Sequence, residues 1–329
     1  MGALRTRLSL GITIYQYLRT SLMRLGLCIM VKDEERRIGG CLRDIVDLFD
    51  DVVILDTGST DRTREIVRDQ FDIQPVETRL NEKRCHCHSD VRNHGFQLLK
   101  TPWIMNLDAD ERISRHDLEQ VVAQPDDPNI AGYFLQWNTY KEERTIIEDY
   151  KLSVFRRGIR KCGLIHGNMQ YCIRKLGLKA SWLDGVVLNH YPEGRKEAFK
   201  SRSYLERLYC ALEAEPHWYR YYWFLGYTFF RRRDYGMAEK YLKVAADSHS
   251  EDFPVECLNS KLVLAEIYAR LDRKHELEGL LREAMAFHTQ VASDFEVQVN
   301  FRTKPWLERA SEACQANSLE QIRVYAFAY

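Results

Sequence analysis

The stretch Trp103-Ile104-Met105-Asn106-Leu107-Asp108-Ala109-Asp110-Glu111 decides the fold. A mainly apolar run breaks off into three carboxylates. A short apolar run bounded by polar residues is the pattern of a strand covered on both faces. The pattern occurs twice upstream. Leu25-Gly26-Leu27-Cys28-Ile29-Met30-Val31 stops at Lys32-Asp33-Glu34-Glu35, and Val52-Val53-Ile54-Leu55 stops at Asp56-Thr57-Gly58-Ser59-Thr60-Asp61. Ile38, Leu42, Ile45, Val46 and Phe49 predict a helix over 35–49. Helices are also predicted over 61–70 and 89–100, with Val76-Glu77-Thr78 as a short third strand. Strands alternating with helices make a doubly wound, mostly parallel α/β sheet with right-handed crossovers. Ligands bind such sheets beyond the carboxyl ends of the strands. The polar clusters at 32–35, 56–61 and 108–111 are therefore expected to share one crevice.

From about residue 196 the strand signals stop and helical periodicity runs to about 288. Leu225-Gly226, Phe229, Ala238, Leu242 and Ala245 are echoed by Leu264-Ala265, Tyr268, Leu277, Leu281 and Ala284 at the same offsets, 39 residues on. These are the packing positions of a tetratricopeptide-type helical hairpin, with a longer linker around Phe253-Pro254. Two such hairpins make no stable solenoid by themselves, so they are expected to pack on the α/β domain. The expected division is an extension over 1–23, an α/β domain over 24–195, an all-α domain over 196–310 and a tail over 311–329. The first boundary between folded parts falls near Tyr191-Pro192-Glu193-Gly194.

A chain of 329 residues suits two domains. Its 48 Lys and Arg balance 48 Asp and Glu. Zero net charge argues against a nucleic-acid partner held by bulk electrostatics. Nine Cys without a spacing framework read as reduced thiols of a cytoplasmic protein. No run of 18 apolar residues occurs. The segment Leu8 to Leu18 between Arg5, Arg7 and Arg19 lacks a signal-peptide cleavage site and reads as an extension, with Met23 as a possible natural start. A sharper reading makes it a surface helix at the inner face of the membrane, and Met1-Gly2 with Thr6 matches a myristoylation pattern.

Asp108 and Asp110 are the central chemical feature. Two carboxylates just past a buried strand suit a hard divalent cation that in turn holds a diphosphate. Taken alone, the pair is also what a solvated acidic loop contains. Gly58 permits a tight turn, and Ser59, Thr60 and Asp61 cap the next helix. Asp56, at a strand end, can also accept from a base imide. Arg92 can stack on a base or grip a phosphate, although a surface arginine is the bland alternative. Cys85-His86-Cys87-His88 with Cys162, His166 and Cys172 invites a zinc reading, which the C-x-C spacing disfavours. His190, in Asn189-His190-Tyr191-Pro192, reads as a hydrogen-bonded structural residue or as a late metal ligand.

In order, Cys28 to Glu35, Ile54 to Asp61, Val91-Arg92-Asn93 and Trp103 to Glu111 resemble the family 2 glycosyltransferases of the GT-A fold. The likeness continues through Leu152 to Arg156, Ile165-His166-Gly167 and Asn189-His190, and covers roughly residues 24–285. The layout is similar to a bacterial subgroup with lipopolysaccharide-core transferases and sublancin-type S-glycosyltransferases. The resemblance implies a nucleotide-sugar donor, a UDP-sugar, and a divalent metal, Mn2+ or Mg2+. It implies that Val31, Lys32 and Glu34 line the nucleoside site, Asp56 meets the uracil and Arg92 supports the nucleotide. Asp108 and Asp110 then serve ribose and metal, with His190 as a late metal or diphosphate contact. It also implies inversion at the anomeric carbon and a glycan, lipid-linked or peptide acceptor.

The subgroup often reads His-Glu where this chain has His166-Gly167, and that Glu is a base candidate. An inverting transfer to a hydroxyl wants a carboxylate or histidine near the nucleophile. Glu111, Asp149, His166 and Asp184 stay open, and a thiol acceptor needs less help. Two classes follow: a glycosyltransferase whose helical part presents the acceptor, or a non-catalytic interaction protein that binds a partner or a second copy through its hairpins, with a relic α/β domain. A sugar nucleotidyltransferase is disfavoured, because no Gly-rich loop with a following Lys comes after the first strand.

Overall fold

The computed structural model describes residues 23–80, 87–141, 144–192 and 202–327. The expected extension thus lies outside the described residues except for Met23, as do Cys85, His86, Glu193 and Gly194. The chain opens with β1 (Leu25–Val31), β2 (Asp51–Asp56), β3 (Val76–Glu77) and β4 (Trp103–Leu107), interleaved with α1 (Ile38–Leu42), α2 (Thr63–Phe71) and α3 (His88–Leu98). Then come β5 (Glu111–Ile113), α4 (Arg115–Val122), β6 (Ile130–Lys141), β7 (Arg144–Arg156), α5 (Met169–Lys175) and β8 (Lys179–His190). One sheet takes the order β3-β2-β1-β4-β7-β6-β8-β5. Four of its seven pairings are parallel: β1 with β2 and β4, β2 with β3, and β6 with β8. This is the predicted class, a mostly parallel α/β sheet.

Alternation along β1 explains its continuous apolar run. Leu25, Leu27, Ile29 and Val31 pack on one face with Ile38, Leu42, Val67 and Leu118, so α1, α2 and α4 cover that side. Cys28 faces the other way, into a cluster with Phe96, Ile104 and Ile173, under α3 and α5. Side chains alternate across a strand, so a doubly covered strand must be apolar at every position.

One element differs from expectation. Residues 35–49 do not form one helix. A five-residue helix, α1, is followed by a 3-10 turn over Val46–Leu48. Gly39 and Gly40 lower its helix propensity, and neither short piece has a side-chain cap. Residues 137–141 and 144–150 form the outer half of the antiparallel β6–β7 hairpin.

The helical part comprises α6 (Arg202–Ala214), α7 (Arg220–Arg231), α8 (Tyr235–Asp247), α9 (Pro254–Arg270), α10 (Lys274–Val291), α11 (Phe295–Val299) and α12 (Thr303–Gln315). The repeated positions Leu225, Ala238, Leu242 and Ala245, then Leu264, Leu277, Leu281 and Ala284, are all buried in one core. They are the contacts of two hairpins, α7–α8 and α9–α10. Pro254 opens α9 at the first turn, where a missing N–H costs nothing. The helical part is fastened to the sheet. Arg174 of α5 pairs with Asp294 at 2.9 Å and Glu296 at 2.6 Å, and Phe295 packs on Phe134 and Trp182. Beyond α12 the chain returns to this core, where Val324 N donates to Glu266 and Phe327 packs on Trp223.

Cys28, Cys41, Cys87, Cys162, Cys172, Cys257 and Cys314 are free thiols. Cys210 on α6 is disulfide-bonded, so the expectation of nine reduced thiols fails there. Among the described residues no helix is long and apolar enough to cross a membrane.

Candidate active site

The carboxyl ends of β1, β2 and β4 form one edge, and the polar clusters meet there as expected. Gly58 adopts φ 107°, a left-handed conformation open to glycine, and so turns the chain sharply after β2. That turn brings the Gly58 and Ser59 amides to Asp56 Oδ1 at 2.9 and 2.8 Å. Arg64 Nε lies 3.2 Å from the same oxygen. Burial opposes ionisation of Asp56, but the bonds from Ser59 and Gly58 and the Arg64 charge outweigh it and lower its pKa. Asp56 Oδ2 is buried and has no hydrogen-bond partner among the described residues. The 32–35 loop is stitched to this turn: Asp33 N donates to Ser59 Oγ, and Thr60 N donates to Asp33 Oδ1. Val31 is buried opposite Asp56, Lys32 is exposed, and Glu34 is paired with Arg37.

After β4, Asp108 accepts from Arg92 Nη2 at 2.6 Å and from Lys151 Nζ at 3.2 Å. Burial opposes its charge, yet Lys151, Arg92 and Lys161 hold its carboxyl well below the usual range. Glu111 is fully buried and all its acceptors are used. It takes the Asp108 amide at 2.9 Å, Trp137 Nε1 at 2.9 Å and Lys151 Nζ at 2.5 Å. Burial raises its pKa. It braces the turn and is no free base.

Asp110 meets His190 because β5 pairs antiparallel with β8, with Glu111 opposite His190. His190 Nε2 lies 3.6 Å from Asp110 Oδ2, and Arg37 lies 3.8 Å from the same oxygen. Thr139 Oγ1 holds His190 Nδ1 at 3.1 Å, and Trp137 stacks on the ring at 4.8 Å. Such support fixes ring orientation, as around metal ligands. Burial opposes the Asp110 charge, but the His190 hydrogen bond and charge, with Arg37, lower its pKa. The pair offers one carboxylate, a ligand type of Mg2+ and Mn2+, and one imidazole, a ligand type of first-row transition ions. Asp108 contributes less directly, since both its oxygens already face cations.

Residues 27–182 match the family model described as Glycosyl transferase family 2. The α/β domain belongs to that family. A TPR repeat-containing protein of Synechococcus elongatus is 29% identical over 122 residues, 36% of this chain and 28% of that protein. The SPbeta prophage-derived glycosyltransferase SunS of Bacillus subtilis is 34% identical over 89 residues, 27% of this chain and 20% of that one. The lipopolysaccharide core biosynthesis glycosyltransferase LpsC of Rhizobium meliloti is 26% identical over 147 residues, 41% of this chain and 51% of that one. The chain thus spans from a fifth to about half of the length of these relatives.

The family 2 domain and the helical part enclose a cleft of about 350 Å³ that contains Asp108, Asp149, Lys151, Lys161 and His166. Of the base candidates, Asp149 stays available in it, and burial raises its pKa. His166 is tied down. Its Nε2 meets Tyr204 Oη at 2.8 Å, its ring stacks on Phe224 at 3.9 Å, and its carbonyl accepts from Arg220. Asp184 is exposed and outside the cleft. Of the zinc-type residues, Cys87 caps α3 by accepting the Asp90 amide, and Cys162 hydrogen-bonds with Cys172. Among the described residues no three metal-type ligands converge.

Sequence reasoning missed Arg37, Lys151 and Lys161. Lys151 carried a signal, a lone cation between apolar neighbours in Tyr150-Lys151-Leu152. Lys161 sits in the loop after β7, where Asn93 clasps its peptide at 2.8 and 2.9 Å. Burial and the Arg92 and Lys151 charges lower its pKa to about 7.

Gly167 also gains a reason. A Cβ there would run into Ser89 Oγ and sit 3.0 Å from Lys161 Cβ. The loop closes too tightly on α3 for any side chain. Gly167→Glu is therefore expected to lose about 1–3 kcal/mol of stability by overpacking and to gain no activity. Urea denaturation of the two proteins checks this. Equal midpoints would refute the packing argument.

Proposed function

We propose that the chain is a metal-dependent inverting glycosyltransferase that moves a sugar from a UDP-sugar to a glycan, lipid-linked or peptide acceptor. One observation carries the reading. Asp56 Oδ2, buried without a partner among the described residues, lies at the end of β2, on the same sheet edge as the Asp110–His190 pair. An unsatisfied buried acceptor awaits a donor, and the N3–H of uracil is one. Val31 and Glu34 would flank that base, Asp108 and Arg92 the ribose and diphosphate. A cation held by Asp110 and His190 would offset charge as the nucleoside diphosphate leaves.

In a single displacement the acceptor oxygen or sulfur attacks the anomeric carbon as the bond to the diphosphate oxygen breaks. Asp149 takes the acceptor proton. Its raised pKa places it nearer neutrality, where a general base is most effective. The names and activities of the relatives support the same class, as does the family of the α/β domain.

Calorimetric titration with UDP, with and without Mn2+, tests the reading. Metal-enhanced binding is expected, and binding indifferent to Mn2+ would sink it. Steady UDP release from a UDP-sugar, abolished by substitution of Asp108 and Asp110, would eliminate the relic-domain alternative.

Lys161 adds a pH dependence. It is largely neutral above pH 7 and charged below. A bound diphosphate favours the ammonium, so above pH 7 binding takes up a proton. UDP affinity in metal-free buffer then falls as pH rises through about 7, by up to about tenfold per unit. Titrations at pH 8 in buffers of different ionisation enthalpy measure that uptake. No uptake would remove Lys161 from the diphosphate site.

A further inference from the structure

The cleft beside Asp108 has a far wall that none of the donor contacts use. It comes from α5 and the helical part. Two acceptor atoms there, Gln170 Oε1 and Glu256 Oε2, are buried without hydrogen-bond partners among the described residues. Gln170 is 5% exposed and Glu256 4%. Glu256 is fixed in place, because its Oε1 accepts from Arg220 Nε at 2.5 Å. Leaving such atoms unsatisfied costs about 1–3 kcal/mol each, more for a charged group. Two on one cleft wall therefore mark a place completed by a ligand.

The chemistry of that ligand follows. Both atoms only accept, so the ligand must donate. The cleft holds Lys151, Lys161, Arg220 and Arg302 against Asp108, Asp149, Glu256 and Glu296. With the charges balanced, nothing draws in an ammonium, and a neutral hydroxyl is the fitting donor. Trp137, Tyr150 and Phe327 supply apolar lining. A few placed polar groups among aromatic faces is the usual composition of a small-ligand site, and about 350 Å³ lies at the small end of the usual ~300–1,000 Å³. Asp56, Asp110 and His190 do not line this space. It is thus distinct from the nucleotide edge and meets it at Asp108.

We propose that this wall is a subsite for a neutral acceptor sugar, two of whose hydroxyls donate to Gln170 Oε1 and Glu256 Oε2. Its role as an acceptor site rests on the glycosyltransferase reading, while sugar binding itself does not. Hydroxyls of the donor sugar share the chemistry, and the experiment separates the two sources.

The probes are a panel of neutral p-nitrophenyl glycosides, titrated into the full chain without nucleotide and followed by tryptophan fluorescence. Gln170→Met removes one acceptor at near-constant volume. Glu256→Gln keeps an oxygen for Arg220 and turns the other position into a donor. At least one glycoside is expected to bind the parent protein, and each variant with an unchanged circular dichroism spectrum to bind it at least tenfold more weakly. UDP-sugar titrations form the second arm, with UDP as reference. Loss of UDP-sugar affinity relative to UDP would assign the wall to the donor sugar and overturn the acceptor assignment. No glycoside binding by the parent protein, or equal binding by a folded variant, would overturn the subsite. Glycoside binding without any UDP binding would leave the subsite standing and refute the donor reading instead.

Discussion

Asp110→Ala is expected to lower UDP-sugar turnover by about a hundredfold or more. A donor that stabilises charge on a leaving group is typically worth several kcal/mol at the transition state, and each ~1.4 kcal/mol is tenfold in rate. Asp110 is the sole carboxylate within reach of His190 Nε2 among the described residues, at 3.6 Å. Its loss should leave His190, itself held by Thr139 and Trp137, unable to keep a cation alone. UDP release measured across a Mn2+ titration separates the roles. Activity restored at high Mn2+ would show a weakened metal site. Full activity at every Mn2+ concentration would refute the role of Asp110.

The sheet edge was legible because its physics is local. Buried parallel strands must be apolar at every position, so β1, β2 and β4 stand out, and their ends locate Asp56, Asp108 and Asp110. The neighbouring β6, β7 and β8 did not stand out. Their runs carry Gln136, Lys151 and Asn189 at half-buried positions and Asn138 at a buried one, so no continuous apolar stretch announces them. The meeting of His190 with Asp110 depends on the β5–β8 register, a contact between residues 80 positions apart, which no spacing rule encodes. The helix predicted over 35–49 had the right periodicity but carries paired glycines, and only a five-residue helix and a 3-10 turn form there. The base candidates were separable only by burial and hydrogen bonding: Glu111 spent on Lys151 and Trp137, His166 on Tyr204, Asp184 outside the cleft.

Lys151→Met is expected to cost about 3–5 kcal/mol of stability, the usual effect of removing one partner from a buried ion pair. Lys151 Nζ is shared by Glu111 and Asp108, at 2.5 and 3.2 Å. Without it, the fully buried Glu111 keeps only neutral donors, the Asp108 amide and Trp137 Nε1. The sign with pH follows from the Glu111 pKa, already raised by burial. In the variant that pKa rises further, so the folded state binds more protons than the unfolded one and stability falls as pH rises above the unfolded Glu value. A double-mutant cycle makes the argument specific. Glu111→Gln removes the stranded charge, so Glu111→Gln with Lys151→Met should be clearly more stable than the sum of the single losses. Urea unfolding followed by far-UV circular dichroism at pH 5 and pH 8 measures all four corners. Additive losses with no pH dependence would mean that Lys151 packs on Trp137 without neutralising Glu111, and that Arg92 alone holds Asp108 in place.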